Sequence, residues 1–467
     1  MTRTPIPLGQ PGGRREIREI LALALPLAAA QIAQILMGIT DSVMMGRLGT
    51  DDLAAGSLGA NVAMFLVMVT QGVLSSMQPL IAHARGAGQT TLPGRILASG
   101  MALALMAALP IVLILTHIDL LLGAIGEPRV LAHLAHDYQR AFAWGVPAAL
   151  LMWTLRNYLS ATERPRVIMI ALAGGALLNL GLNRLLIFGG FGLPAFGIAG
   201  SGYATALVMW LLLATLAGYM GLTRLFPWRD GFPDAASLRH GIASILRLGW
   251  PIGGAYVAEM GLFSGAALVM GYFGPIAVAA NQICIGVAAL TFMVPMAIGQ
   301  AAMVRIGLHA GGRNIARARD AGRTAILLGI GFMMTTAVVI WLGARHILGL
   351  YLDPTDPHSP AVMALGMRLL ALAALFQVFD GTQTVCLGVL RGLKDTRVPF
   401  YAGILAYWGL GMPIGLGLAF LLGFGPEGIW WGFVVGLVVI AAILPLRFIR
   451  LTGTLLRDEI GPQRQGA

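Results

Sequence analysis

The sequence is short of charge, of cysteine and above all of lysine. Only 11 % of its 467 residues are charged, and mean hydropathy is +0.81. A soluble domain carries about a quarter charged residues, so that class is excluded. The two cysteines, Cys284 and Cys386, both lie in apolar segments, which leaves no CxxC motif, metal cluster or extracytoplasmic disulfide to argue for. The single lysine, Lys394, follows Leu393 where a nucleotide-binding loop requires glycine, so ATP is excluded as a direct fuel. There is no HExxH, and the long loops expected of a membrane enzyme are missing, so no catalytic residue and no cofactor is assigned. Period-2 alternation is absent too, which excludes a transmembrane barrel.

What remains is apolar sequence, 57 % hydrophobic, in runs of membrane-spanning length. Charges and turn residues divide it into twelve predicted helices near 17–45, 52–78, 92–116, 131–160, 166–189, 198–222, 242–270, 276–304, 319–344, 360–390, 398–422 and 428–453. The first run has no small-residue cleavage site behind it and reads as a helix, not a signal peptide. With the N-terminus inside, 25 of the 31 Lys and Arg residues fall on the cytoplasmic side. The net charge of +11 is therefore topological, and no nucleic-acid partner is implied. The predicted chain is an all-α polytopic membrane protein with both termini cytoplasmic: an arm over 1–16, an N-lobe over 17–222, an interlobe loop over 223–240, a C-lobe over 241–453 and a tail over 454–467.

The two lobes form an internal parallel repeat. An offset of 225 pairs Ile20, Leu21, Leu23 and Pro26 with Ile245, Leu246, Leu248 and Pro251. It also pairs Gly46 and Gly49 with Gly271 and Gly274, Ala54 and Ala55 with Ala279 and Ala280, and Gly86 with Gly311. Later, Leu155-Arg156, Thr162 and Pro165 answer Leu390-Arg391, Thr396 and Pro399. An even number of helices separates the halves, so both enter from the same side, related by an axis along the membrane normal.

Three acids stand alone in this apolar sequence. Glu259 is the only charge from Leu248 to Val304, Asp41 the only one from Ile20 to Gly46, and Asp380 the only one from Leu369 to Leu390. A charge at mid-membrane costs about 2.5–3.5 kcal/mol by insertion scales, and its default reading is functional. Each acid heads a stripe on one helix face: Gln34, Gly38 and Asp41; Tyr256, Glu259 and Phe263; Gln377, Asp380 and Thr384. With no basic residue in the same segments, the stripes are expected to face a water-filled cleft; a buried structural network is the alternative. Burial without a counter-charge penalises the ionised form, making a proton a natural ligand, while two acids among amide and hydroxyl oxygens suit a small hard cation. Both make ion coupling possible.

Other features read more blandly. His133 and His136, at i and i+3, have no third ligand and mark a wet helix entrance rather than a metal site. Met37, Met44, Met64, Met68, Met260, Met293 and Met296 are either plain core or an adaptable wall for varied ligands. Pro26 and Pro251, matched in the repeat, are hinge candidates or static kinks.

The segments GITDSVMMGRLG (38–49), PIGGAYVAEMGLFSG (251–265) and FQVFDGTQTVCLGVLRGLKDTRVP (376–399), on two six-helix halves, resemble the multidrug and toxic-compound extrusion (MATE) family. The likeness runs from about Arg14 to Arg450, and Asp41, Glu259 and Asp380 together resemble its NorM-like branch. It implies that these three acids exchange cation and substrate, with Gln282 and Phe263 as further C-lobe cation-site positions. Asn179 and Asn183 stand where the DinF-type branch has Asn followed by Asp, Arg184 follows at the outer end, and Phe376 replaces a tyrosine of some NorM-like proteins. The resemblance implies a multi-pass antiporter of the bacterial inner membrane, monomeric among lipids, exchanging Na+ and/or H+ for amphipathic, often cationic, small molecules. A lipid-linked oligosaccharide flippase is the rival; a basic central cavity would be expected of it.

Overall fold

The computed structural model describes residues 13–126, 128–190, 192–226 and 233–464. Most of the expected N-terminal arm (1–12), part of the interlobe loop (227–232) and the end of the tail (465–467) lie outside the described residues. Helices in chain order are α1 (Gly13–Gly46), α2 (Thr50–Ser75), α3 (Met77–Gly86), α4 (Leu92–Thr116), α5 (Ile118–Ile125), α6 (Arg129–Ala143), α7 (Val146–Ala161), α8 (Pro165–Phe188) and α9 (Ile198–Leu222) in the N-lobe. The C-lobe has α10 (Ala235–Tyr272), α11 (Pro275–Gly311), α12 (Ile315–Gly349), α13 (Ser359–Gly392), α14 (Arg397–Ile404), α15 (Met412–Leu416) and α16 (Pro426–Arg464). Around α15 lie two π-helical stretches, Leu405–Gly411 and Gly417–Leu421.

All twelve expected spans are helical, and eleven are long and apolar enough to cross a membrane as they stand. The fourth, expected as one helix over 131–160, is broken between α6 and α7. Proline explains the break. Pro147 has no N–H for the carbonyl four residues back, and its ring crowds that carbonyl; residue 143 is where α6 ends. The second span repeats the rule, with α2 ending at Ser75, four residues before Pro79. Pro26 and Pro251, by contrast, sit buried inside unbroken α1 and α10.

The repeat carries through to backbone conformation, with one adjustment. Gly88 and Arg313, 225 residues apart, both take left-handed φ (71° and 53°) just beyond α3 and α11. Glu163 (φ 61°) and Lys394 (φ 62°) do the same beyond α7 and α13. These ends set the register at 231, so Arg156 and Arg391 share a helix face one turn apart rather than one position in the repeat.

The hydrogen bonds and ion pairs that join the lobes gather at one end, the end rich in Lys and Arg. Ser76 Oγ donates to the Ile245 carbonyl (3.0 Å), and His83 Nε2 meets the Gly392 carbonyl (2.8 Å). Arg305 on α11 grips Glu16 (2.9 Å), Glu19 and Glu163 (3.6 Å), while His309 reaches Glu16 (3.2 Å). Two repeat-matched glycines permit this closeness: a Cβ at Gly86 would collide with the Leu308 carbonyl, and one at Gly311 with that of His83. Gly311→Val should therefore wedge α3 from α11. Overpacking of this kind costs about 1–3 kcal/mol, and we expect a lower thermal midpoint together with a longer spin-label distance between lobes at the basic end; an unchanged distance would refute the crossing as the point of closure.

Candidate functional site

In the N-lobe the membrane-buried carboxylate of Asp41 meets three donors from two other helices. Asn183 Nδ2 (2.6 Å) and Asn179 Nδ2 (3.1 Å) donate to Oδ1, and Thr205 Oγ1 donates to Oδ2 (3.0 Å). Asn179 and Asn183 are i and i+4 on α8, which puts both amides on one face. Three of the carboxylate's roughly four lone-pair sites are thus used. The amides spend both donors' direction on the acid, leaving their own Oδ1 atoms buried without partners. Thr205, on α9, was not legible as a site residue: a lone threonine in an apolar helix carries no contrast.

Gln34 does not join Asp41. Its Oε1 accepts from Arg156 Nη1 (3.1 Å), and Arg156 stacks over the Trp153 ring (4.2 Å). Arg156 is 2 % exposed on α7, with Nη2 unpaired.

In the C-lobe, Glu259 on α10 and Asp380 on α13 come within electrostatic reach of each other. Tyr407, from the π-helical stretch, is buried within reach of both; π-helical turns recur at functional sites. Gln383, one turn beyond Asp380, is buried and within hydrogen-bonding reach of the Tyr407 hydroxyl. The expectation of no basic neighbour is corrected here. Arg391 lies just past the charge-free window, its guanidinium 5.6 Å from the ring centre of Tyr256 and within electrostatic reach of Glu259. Because Tyr256 precedes Glu259 by one turn, the cation and the acid share that face.

The supporting residues divide. Gln377 is taken up by structure: its Oε1 accepts from Thr291 Oγ1 (2.8 Å) and its Nε2 donates to Thr336 Oγ1 (3.3 Å), tying α13 to α11 and α12. Thr384 is half-buried, and Gln282 is exposed with no hydrogen bond to either acid among the described residues. Its neighbour Asn281 is buried instead, accepting from Trp430 Nε1 (3.1 Å). Phe263 packs edge-on to Phe376 (6.2 Å) and against Phe433 (5.5 Å), so the tyrosine-to-phenylalanine position is an aromatic wall of the acid site. His133 and His136 pair with separate acids, Asp137 (3.4 Å) and Asp119 (3.2 Å). Among the described residues no three His, Cys, Asp or Glu side chains converge to hold a metal ion.

Comparison with known proteins agrees with this architecture. The MatE family model matches residues 26–185 and 251–416, one block in each lobe. The chain belongs to the MatE family. It is 40 % identical over 453 residues to the probable multidrug resistance protein NorM of Burkholderia pseudomallei, covering 94 % of each chain. With the multidrug resistance protein NorM of Burkholderia vietnamiensis it shares 39 % identity over 458 residues, 98 % of each. Among solved structures, the eukaryotic MATE transporter AtDTX14 superposes with a TM-score of 0.84 at 22 % identity (96 % of this chain, 100 % of that one). The Vibrio cholerae MATE transporter VcmN in its bent form gives 0.84 at 19 % (96 % and 98 %). This MatE chain is thus a multi-pass membrane transporter.

Asn183 makes the shortest bond to Asp41. Asn183→Leu should strip one donor from a dry carboxylate and cost about 1–3 kcal/mol, read as a lowered thermal midpoint in detergent. Asn179→Leu, at the longer bond, should cost less; no loss in either variant would refute the network.

Proposed function

We infer that this MatE chain is a cation-coupled multidrug antiporter that exports amphipathic, often cationic compounds by alternating access. The observation that supports the reading is that Glu259 and Asp380, on helices distant in sequence, lie within electrostatic reach of each other. With Tyr407 and Gln383 beside them, the pair offers acceptor oxygens to Na+, or a place for H+. Arg391 is the resident counter-charge of Glu259, and an incoming cation competes with it. In the N-lobe, Asp41 has only neutral donors, so loading it changes its bonds to Asn183, Asn179 and Thr205 and hence the packing of α1 on α8 and α9.

The topology that suits this reading keeps both termini cytoplasmic in the inner membrane, with the N-lobe over 17–222 and the C-lobe over 241–453. The interlobe ion pairs around Arg305 then close the cytoplasmic side, as in an outward-open state. Cation binding from outside favours release of cargo, and the return loads cargo from the cytoplasm or inner leaflet. Coupling requires only that cation and cargo prefer opposite states. The names of the NorM relatives, which are multidrug resistance proteins, support the cargo class.

Efflux from everted vesicles tests it. An imposed Na+ gradient at fixed pH, then a pH gradient without Na+, identifies the ion. Under the effective gradient, Glu259→Gln and Asp380→Asn should each lose about 5- to 150-fold of the coupled rate, the usual span of coupling energies. Wild-type rates in both variants would sink the mechanism, and rescue of cell-wall lipid export in place of drug resistance would favour a flippase.

A further inference from the structure

A cavity of about 690 Å³ opens between the lobes at the basic end, walled by α3 and α4 on one side and by the ends of α10 and α11 on the other. His83, Arg95, His240, Arg313 and Lys394 line it, and among the described residues no Asp or Glu does. Basic loops are the rule on a cytoplasmic face, so number alone means little. Convergence from both lobes on one cavity is what sets these side chains apart. Elsewhere at this end Arg85 pairs with Glu163 (3.7 Å), Arg305 with Glu16 (2.9 Å) and Arg447 with Asp395 (2.8 Å). Among the described residues Arg95, Arg313 and Lys394 form no ion pair. Asp234 reaches Arg95 only at longer range and does not line the cavity.

The backbone supplies an independent observation. Arg313 and Lys394 take φ values of 53° and 62° just beyond helix ends, where glycine is the favoured residue. The N-lobe counterpart of Arg313 is in fact a glycine, Gly88 (φ 71°). Two long cationic side chains are therefore held against local backbone preference, and both line the same cavity. Desolvation also pushes the Lys394 ammonium below its ordinary pKa.

We propose that this cavity is an anion site for a phosphate group, bridging Arg95 of the N-lobe to Arg313 and Lys394 of the C-lobe. Its sign is opposite to that of the intramembrane acids, so it is not the place for a cationic cargo. Phosphate chemistry reaches it from two sources, an anionic phospholipid headgroup of the adjoining leaflet or a soluble phosphate compound; basic pockets between membrane helices suit the first. Bound there, the anion neutralises like charges that the two lobes present to each other and holds the basic end closed.

The test uses full-length protein in uncharged detergent, with Arg313→Gly and Lys394→Gly singly and together. Both changes suit the local backbone, so the variants should fold at least as stably as the parent. Cardiolipin in mixed micelles, phosphatidylcholine in mixed micelles and inorganic pyrophosphate are added in turn, with thermal midpoint and native mass spectrometry as readouts. Cardiolipin, but not phosphatidylcholine, should raise the parent's midpoint. At roughly fivefold per cation near a charged surface, the double variant should bind about thirtyfold more weakly. A pyrophosphate response that is lost in the variants assigns the site to soluble phosphates as well; a response to cardiolipin alone assigns it to lipid. Equal binding by parent and double variant, equal effects of the two lipids, or no response to either anion would overturn the proposal.

Discussion

A carboxylate withdrawn from water into a membrane must find its solvation in the protein, and the three intramembrane acids show two ways of doing so. Asp41 is solvated by neutral donors, three hydrogen bonds of 2.6–3.1 Å from α8 and α9. Glu259 and Asp380 are within electrostatic reach of each other, with an arginine at the edge and an amide and a phenol nearby. The first arrangement is nearly complete in itself. The second leaves acceptor capacity free and brings like charges together, so it gains more from an added cation. Residues from distant spans therefore meet at each acid: α8 and α9 at Asp41, α10 and α13 at Glu259 and Asp380.

The spans were legible because charge in a membrane protein is rare and therefore informative: clusters of charge and turn residues fall near the ends of the apolar runs. The same rarity exposed Asp41, Glu259 and Asp380. Neutral polar residues gave no such contrast. Thr205 and Tyr407 sit in helices rich in other small or aromatic residues, and nothing in their spacing distinguishes them from packing groups. Gln383 was closer to reach, since it lies one turn from Asp380. Partnerships were less legible than positions. Gln34 shares a face with Asp41 yet turns its carbonyl to Arg156, because a buried guanidinium binds an acceptor more strongly than a buried acid binds an amide already replaced by two asparagines.

The repeat explains much of the scaffold and little of the chemistry. Offset 225 carries glycine, proline and helix-end conformation from one lobe to the other, because backbone geometry decides those positions. It places Gln34 opposite Glu259 and Ala266 opposite Asp41, so the acids have no counterparts. At Gly88 and Arg313 even a backbone-determined position has diverged in residue type while keeping its left-handed φ.

Charge is also divided along the membrane normal. The interior holds acids, while the end where the lobes close holds both a paired network around Arg305 and unpaired cations around the cavity. A cationic cargo approaching the acids from that end would pass beside Arg95, Arg313 and Lys394, at a cost set by like-charge repulsion in a site only partly screened by water. An amphipathic cation dissolved in the inner leaflet would avoid that barrier by entering between helices. The same cations that hinder the axial route would hold anionic groups at its mouth. On the proposed reading, sign more than size thus favours a lateral path into the membrane interior.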